Sequence, residues 1–470
     1  MTTINREDSS YRDHQSIVYI SENRVFRKIK NNKKKDITTL LNSDFYKKNT
    51  NKIIETNFLQ NSEVEKLDFK DSKDLDSCFW LEHKKLETII YPYEMSFSQL
   101  KDSAVFFLDL YLEALENDFD LVDATPYNVQ FVKNKPIFID ITSFEILKKD
   151  SYFFGYKQFC EQYLSPLLLQ SYSNIDFNNL YMGNLNGIDL SIVSKILPFR
   201  SWLSYNCLIN VHLHSYLNSK ISSSSHKTKN LTKKKQMSIQ QKKLLLKNLK
   251  NFITKLKNNK KTYWSNYSKE NSYNDDEIKF KKNLVRKFII DLEIKNVIDI
   301  GCNNGVFSDA AISSGAEFSL GVDNDTGALD DAYEMAKKKS INFLPLYLNL
   351  LNPSPSIGWL NKERKKFIDR FSKKFDGVIC LACMHHICVG NNVPVNQFIE
   401  YLSKFSKKIL LEFVPKEDPM VSNMLSNKKD IYENYNLNFF TNEIKKTHKI
   451  LWQEKILNSE RVLYALIKND

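Results

Sequence analysis

From residue 296 onward, short apolar runs alternate with amphipathic stretches of helical period, and this alternation constrains the fold more than any other feature of the chain. The runs are NVIDI (296–300), FSLGVD (318–323), INFLPLYLNL (341–350) and DGVICLAC (376–383), with helices predicted from about Gly305 to Ser314 and from about Gly327 to Lys339. Short apolar strands separated by helices predict a parallel, doubly wound sheet. KILLEFV (408–414) and RVLYALI (461–467) supply further strands.

In such a sheet ligands bind outside the carboxyl ends of the strands, and a glycine-rich first turn lets a ligand approach the backbone closely. The first strand runs into Gly301 and Gly305 in the stretch VIDIGCNNG (297–305). Glycine there removes side chains that would block an adenosyl ligand and permits backbone angles closed to other residues. Asp323 ends the second strand, where an acid can accept hydrogen bonds from both hydroxyls of a ribose. The turn lacks the three-glycine dinucleotide pattern and the Lys-Ser/Thr of a phosphate loop, which favours a ligand without phosphates.

VIDIGCNNG followed by GVDND (321–325) resembles the first motif and the acidic second-strand end of class I S-adenosylmethionine-dependent methyltransferases. The resemblance implies S-adenosylmethionine as cofactor and a Rossmann-like sheet. It implies that Gly301 and Gly305 form the glycine turn, Asp299 helps hold the methionine end, and Asp323 binds the ribose. Cys302, Asn303 and Asn324 complete the expected cofactor contacts. The stretches NLLNPSPSIGW (349–359), DGVICLACMHHICVGNNVP (376–394), EFVPKEDP (412–419), YPYEMSFSQLKDSA (91–104) and DATPYNVQF (123–131) are similar to a narrower group of bacterial nodulation-related methyltransferases, over most of the chain. Where that group is expected to carry an acid at the end of the third strand, this chain has Asn349, whose carbonyl could still bond an adenine amino group.

Methyl transfer from a sulfonium needs an in-line nucleophile and sometimes a base, so positioning supplies most of the acceleration. His385 and His386 follow the fourth strand and are candidate bases; a pocket-lining role is the alternative for either. Glu412, at the end of the next strand, is a candidate second base or acceptor-binding carboxylate. Asn391 and Asn392 offer amides to a polar acceptor, or simply turn chemistry. Cys380, Cys383 and Cys388 flank the histidines, but buried cysteine acting as a small apolar residue is the ordinary case, and no metal is expected.

The N-terminal half, 1–220, reads as an α+β accessory domain. LVDATPYNVQFVKNKPIFID (121–140) places Asp123 and Asn128 before a short hairpin and then Asp140, following a helix from about Ser98 to Asn117. That order resembles the catalytic loop and metal-binding Asp of kinase-like phosphotransferases, although no Gly-rich loop precedes it, Arg27 or Lys28 is only a weak match for the strand lysine, and Ile-Thr-Ser follows Asp140. Residues 221–269 read as a basic linker with an amphipathic helix, its apolar face expected on Leu245, Leu249, Phe252, Ile253 and Leu256 and docked, or else laid on a membrane surface. An aromatic cluster, Tyr263, Trp264, Tyr267 and Tyr273, precedes the methyltransferase-like domain expected over 270–470 and is expected to cover the cofactor or pack on the sheet.

The chain's 470 residues and 42% hydrophobic content suffice for two or three cores. Its net charge of +12 is spread through Lys, Asn and Ser runs rather than gathered on one face, so nucleic acid is an acceptor class kept open but not favoured. Seven scattered cysteines, a polar N-terminus and the lack of an apolar span of about 18 residues point to a reducing cytoplasm and to no membrane span. The nodulation-related resemblance implies a glycan or other small hydroxylated acceptor. Two alternatives stand beside it: a bifunctional kinase-like methyltransferase acting on a surface glycan, and a catalytically silent binding or scaffold protein. Oligomeric state is not readable from the sequence.

Overall fold

The structure is a computed structural model describing residues 4–70, 73–148, 150–223, 237–259, 275–426 and 435–469. Most of the basic stretch 221–236 and the whole aromatic cluster Tyr263, Trp264, Tyr267 and Tyr273 lie outside them. The chain forms two compact units: unit 1 is Met1–Lys260 with Ser356–Arg364, and unit 2 is Lys261–Pro355 with Lys365–Asp470.

In unit 1, strands β1 (Asn5–Arg6), β2 (Ser16–Ile20), β3 (Val25–Lys30), β4 (Thr56–Leu59) and β5 (Cys78–His83) make an antiparallel sheet ordered β1-β2-β3-β5-β4. Tyr19, Phe26 and Trp80 are buried against Phe69 on one face. Helix α1 (Phe97–Glu116) begins at a capping box, in which Ser96 Oγ accepts from Gln99 N–H and Gln99 Oε1 accepts from Ser96 N–H. Beyond it β6 (Phe119–Leu121) pairs with β9 (Phe144–Ile146), enclosing the hairpin of β7 (Val129–Val132) and β8 (Lys135–Phe138). The hairpin turns at Lys133 and Asn134, both at positive φ, as a two-residue turn of matching twist demands. In chain order unit 1 thus has an antiparallel five-stranded sheet, a long helix, the loop with Asp123 and Asn128, a hairpin and Asp140.

Two-residue strands β10 (Asp150–Ser151) and β11 (Met237–Ser238) pair antiparallel, and helix α2 (Ile239–Lys255) follows. This helix packs on α1 through Leu246, Leu249 and Ile253, which are buried, and through Lys242, which is wholly buried with its Nζ 2.8 Å from Asp120 Oδ2. Of the expected face, Leu249, Ile253 and Leu256 are buried and Leu245 and Phe252 half-buried; Leu246 and Lys242 join it, and the packing on α1 favours the docked alternative.

In unit 2, helix α3 (Asp275–Asp291) leads into β12 (Asn296–Ile300), α4 (Val306–Ser313), β13 (Phe318–Asp323), α5 (Thr326–Lys339), β14 (Phe343–Tyr347), β15 (Gly377–Cys380), α6 (Met384–Cys388), β16 (Lys408–Phe413), β17 (His448–Lys455) and β18 (Val462–Lys468). The sheet order is β14-β13-β12-β15-β16-β18-β17, parallel through β16, with β18 antiparallel to β16 and β17 antiparallel to β18. This is the class I methyltransferase arrangement: strand order reverses between β12 and β15, opening a crevice at their carboxyl ends. Val297, Ile298 and Ile300 are fully buried, as a central parallel strand covered on both faces requires. Strand β17 is not expected from the sequence: it is an edge strand whose residues mostly alternate half-buried and exposed through HKILWQEK, with too few apolar side chains to stand out.

Candidate active site at the carboxyl ends of the central strands

Gly301 and Gly305 bound the turn after β12, at φ 79° and 82°. A Cβ on Gly305 would lie 2.4 Å from Phe343 Cε1, and one on Gly301 would sit 3.0 Å from Cys383 Cβ. The glycines therefore bring the turn tight against β14 on one side and the segment after β15 on the other. Gly301 and Cys302 N–H groups both donate to Val322 O, at 2.9 and 3.1 Å, tying the turn to β13. The Cys302 side chain is buried with Leu329, Ala332 and Phe343, a packing position.

Asp323 ends β13 with one oxygen accepting from Asn303 N–H (2.8 Å) and the other from Asp325 N–H (2.9 Å). Burial raises its pKa and these backbone bonds pull the other way. Asn303 holds φ 48°, the left-handed region, which aims its amide at that carboxylate. Asn324 is exposed beside it, and Asp325 caps α5 through Gly327 and Ala328 N–H.

Asp299 is 1% exposed and accepts from Ser308 Oγ at 2.7 Å. Burial pushes its pKa up to about 7, against the Ser308 bond and with Asp323 adding in the same direction. Asn349 lies two residues beyond β14, and its Oδ1 accepts from Leu351 N–H at 3.0 Å, so the carbonyl expected to meet adenine already serves an Asx turn.

On the other side of the crevice, Ala382 adopts φ 50°, a strained conformation for a residue with a Cβ. Its N–H donates to Glu412 Oε2 at 2.9 Å. Glu412 is fully buried, with Lys281 Nζ at 2.7 and 2.8 Å and Arg461 Nη1 at 3.5 Å; Arg461 Nε also bonds Asp418 at 2.6 Å. A carboxylate holding two cations and an amide has its lone pairs engaged: Glu412, expected as a second base or an acceptor-binding carboxylate, here holds the backbone that follows β15. Lys281, Arg461 and Ser308 were missed. Lys281 comes from α3 and Arg461 from the residue before β18, far apart in the chain, and no local pattern links them to Glu412.

His385 and His386 lie in α6, ring centroids 4.1 Å apart. His385 is 1% exposed and neither ring nitrogen has a hydrogen-bond partner. Burial, with His386 and Lys281 nearby, lowers its pKa to about 3, so the imidazole is neutral. His386 is less buried and its pKa is lowered by burial. Asn391 donates to His386 O at 2.9 Å, a turn bond, and Asn392 holds φ 60°. Cys380 and Cys388 are buried, and among the described residues no group of three His, Cys, Asp or Glu side chains could hold a metal.

Unit 1 brings together its own set. Asn128 Nδ2 donates to Asp123 Oδ2 (3.0 Å) and reaches Asp140 Oδ2 (3.4 Å). Asp140 also accepts from Thr142, Ser143 and the Arg27 guanidinium. Burial raises its pKa, but Arg27 and the hydroxyl bonds outweigh it and hold the carboxyl below its usual range. Asp123 is pushed up to about 6 by burial and by Asp140.

No protein-family model matches the chain. The nodulation protein NoeA of Rhizobium meliloti (strain 1021) is 37% identical over 392 residues, spanning 83% of this chain and 82% of NoeA. Among solved structures, the magnesium protoporphyrin IX methyltransferase ChlM of Synechocystis PCC 6803, with SAH bound, is 16% identical and overlaps 44% of this chain and 93% of its own, with a TM-score of 0.31. The 16S rRNA methylase RmtB is 15% identical over 41% and 64%, TM-score 0.29, and the bifunctional kinase-methyltransferase WbdD 17% identical over 43% and 41%, TM-score 0.30.

Proposed function

Because the chain belongs to the family of the nodulation protein NoeA, we propose that it is an S-adenosylmethionine-dependent methyltransferase whose acceptor is a carbohydrate or another small hydroxylated molecule. The observation that carries the reading is the pair of acids at the switch point, Asp299 at the end of β12 and Asp323 at the end of β13, around a turn kept clear of side chains by Gly301 and Gly305. Asp323 keeps lone pairs for ribose hydroxyls while its amide bonds fix its orientation. Asp299, poised near neutrality, gains charge beside a cationic methionine end. Cys302, Asn303 and Asn324 line the turn, and Asn349 borders the adenine side.

S-adenosylmethionine, bound there, supplies a methyl group already activated on a sulfonium. An acceptor oxygen held in line with that methyl would receive it, and positioning would supply most of the acceleration. The acceptor's proton goes to solvent or to His386. His385, neutral and buried, lines the pocket wall, and a pKa near 3 makes it a weak base. Glu412 acts through Ala382 and is a positioning residue. The acceptor class rests on the nodulation-related resemblance.

Calorimetric titration of S-adenosylmethionine and S-adenosylhomocysteine tests the reading. Binding that Asp323→Ala weakens about tenfold, roughly 1.4 kcal/mol, is expected; absence of binding by the unaltered chain would overturn it.

A second reading concerns unit 1, where Asp123, Asn128 and Asp140 converge in kinase-like order and Asp123 is poised to take a hydroxyl proton. Arg27, seated on Asp140, opposes a metal there. Magnesium-dependent stabilisation by a nucleoside triphosphate, lost in Asp140→Asn, is its test; no shift with either nucleotide or magnesium would retire it.

A further inference from the structure

Between Leu190 and Lys220 the chain has no Asp or Glu, while Lys195, Arg200 and Lys220 are exposed. The same stretch of unit 1 exposes large apolar side chains at a density found nowhere else among the described residues. Phe199, Leu203 and Tyr205 are 77%, 78% and 70% exposed, and Trp202, Tyr216 and Leu217 are about half exposed. These are not the ends of a loose tail. Leu190, Val193, Cys207 and Val211 are buried beneath them. Trp202 stacks on His212 with ring centroids 3.9 Å apart, and His212 is in turn held by Ser194 (2.8 Å) and Ser201 (2.9 Å). The indole is thus fixed with one face outward before any partner arrives.

We propose that this face of unit 1, centred on Phe199, Trp202, Leu203 and Tyr205, docks on an anionic bilayer surface. Contiguous exposed apolar area marks an interaction site. Trp, Tyr and Phe with Leu beside Lys and Arg is the composition of a surface that enters the headgroup boundary, where aromatic rings settle and cations meet lipid phosphates. The charge argues for this occupant against a second copy of the chain. Two such faces would bring only positive charges together, whereas an anionic membrane complements them. The nearest acid before the stretch, Asp189, is engaged as the N-cap of the helix that follows, accepting from Ser191 N–H at 2.7 Å.

The test is cosedimentation of the full chain with phosphatidylcholine vesicles and with vesicles containing phosphatidylglycerol, with Trp fluorescence as a second readout. Binding to the anionic vesicles is expected, weakened by salt and reduced about tenfold or more in Phe199→Ser/Leu203→Ser. Both substituted side chains are exposed, so the fold should stand. If that variant fails to fold, Lys195→Glu/Lys220→Glu replaces it, with loss of the preference for anionic vesicles expected. No binding to either vesicle, or equal binding to both that neither variant alters, overturns the proposal. So does concentration-dependent self-association, abolished by Phe199→Ser/Leu203→Ser, in a chain that ignores vesicles.

Discussion

At Gly305 two demands meet in one residue: φ of 82° and an aromatic edge 2.4 Å from where a Cβ would lie. Gly305→Ala is therefore expected to destabilise unit 2 by about 1–3 kcal/mol, read by urea denaturation. Asp299 makes a different prediction. Its pKa is raised from 3.8 to about 7 in the folded chain, so the contribution it makes is fully present below about pH 4 and is lost as pH rises through 7. His385, lowered from 6.5 to about 3, contributes in the opposite sense: its share is present above 6.5 and lost as pH falls. Asp299→Asn should leave the His385 trend uncovered, so that stability climbs with pH from about 4 to 7 more steeply than in the unaltered chain; a parallel profile would contradict the assignment. Much at this scale was legible. Asp299, the two glycines and Asp323 stand in one short pattern whose chemistry is local. Ser308, Lys281 and Arg461 were not legible, because a side chain becomes a partner through the packing of its helix or strand, which no spacing in the sequence encodes.

At the scale of elements, α3, β16 and β18 are joined by Lys281, Glu412 and Arg461, all almost completely buried. Lys281→Met leaves Glu412 short of a cation and should destabilise by about 3–5 kcal/mol, whereas Lys281→Met/Glu412→Leu should recover a substantial part of that loss. The double variant should still bind S-adenosylhomocysteine poorly, since Ala382 loses the acceptor that holds its strained backbone. Calorimetry on the folded double variant checks this, and undiminished affinity would remove Glu412 from any positioning role. Element type was mostly readable from hydrophobic period, since the central strands are continuous apolar runs. Two omissions have physical causes. Lys242 was absent from the α2 face because a lysine is buried only by pairing, here with Asp120, and β17 was hidden because an edge strand need not be apolar.

At the scale of the molecule, two units with separate cores should respond separately to a ligand of one of them. A saturating dose of S-adenosylhomocysteine, at ~100 times its Kd, should stabilise unit 2 by about 2.7 kcal/mol. Hydrogen exchange should slow in β12 to β16 and stay unchanged in β2, β3 and β5; protection confined to unit 1 would contradict the site. No helix among the described residues is long and apolar enough to cross a membrane. The helix, loop and hairpin order of unit 1 was readable around the DATPYN loop. Its complete composition was not, because Ser356–Arg364, which belongs to it, lies in sequence between β14 and β15.

That excursion has a meaning in time. Within unit 1, Glu363 is 2% exposed and receives the Arg12 guanidinium and the Tyr11 hydroxyl, while Arg364 lies over the Tyr127 ring at 4.3 Å. On the ribosome the N-terminal residues emerge first, yet they wait for a carboxylate that is translated only after three strands of unit 2. Arg12 and Glu363 are 351 residues apart, and at ~5–20 residues per second the delay is on the order of tens of seconds. The first unit to be synthesised is thus the one that cannot be finished until the second is well under way, and a nascent chain halted before Glu363 would lack the carboxylate that receives Tyr11 and Arg12.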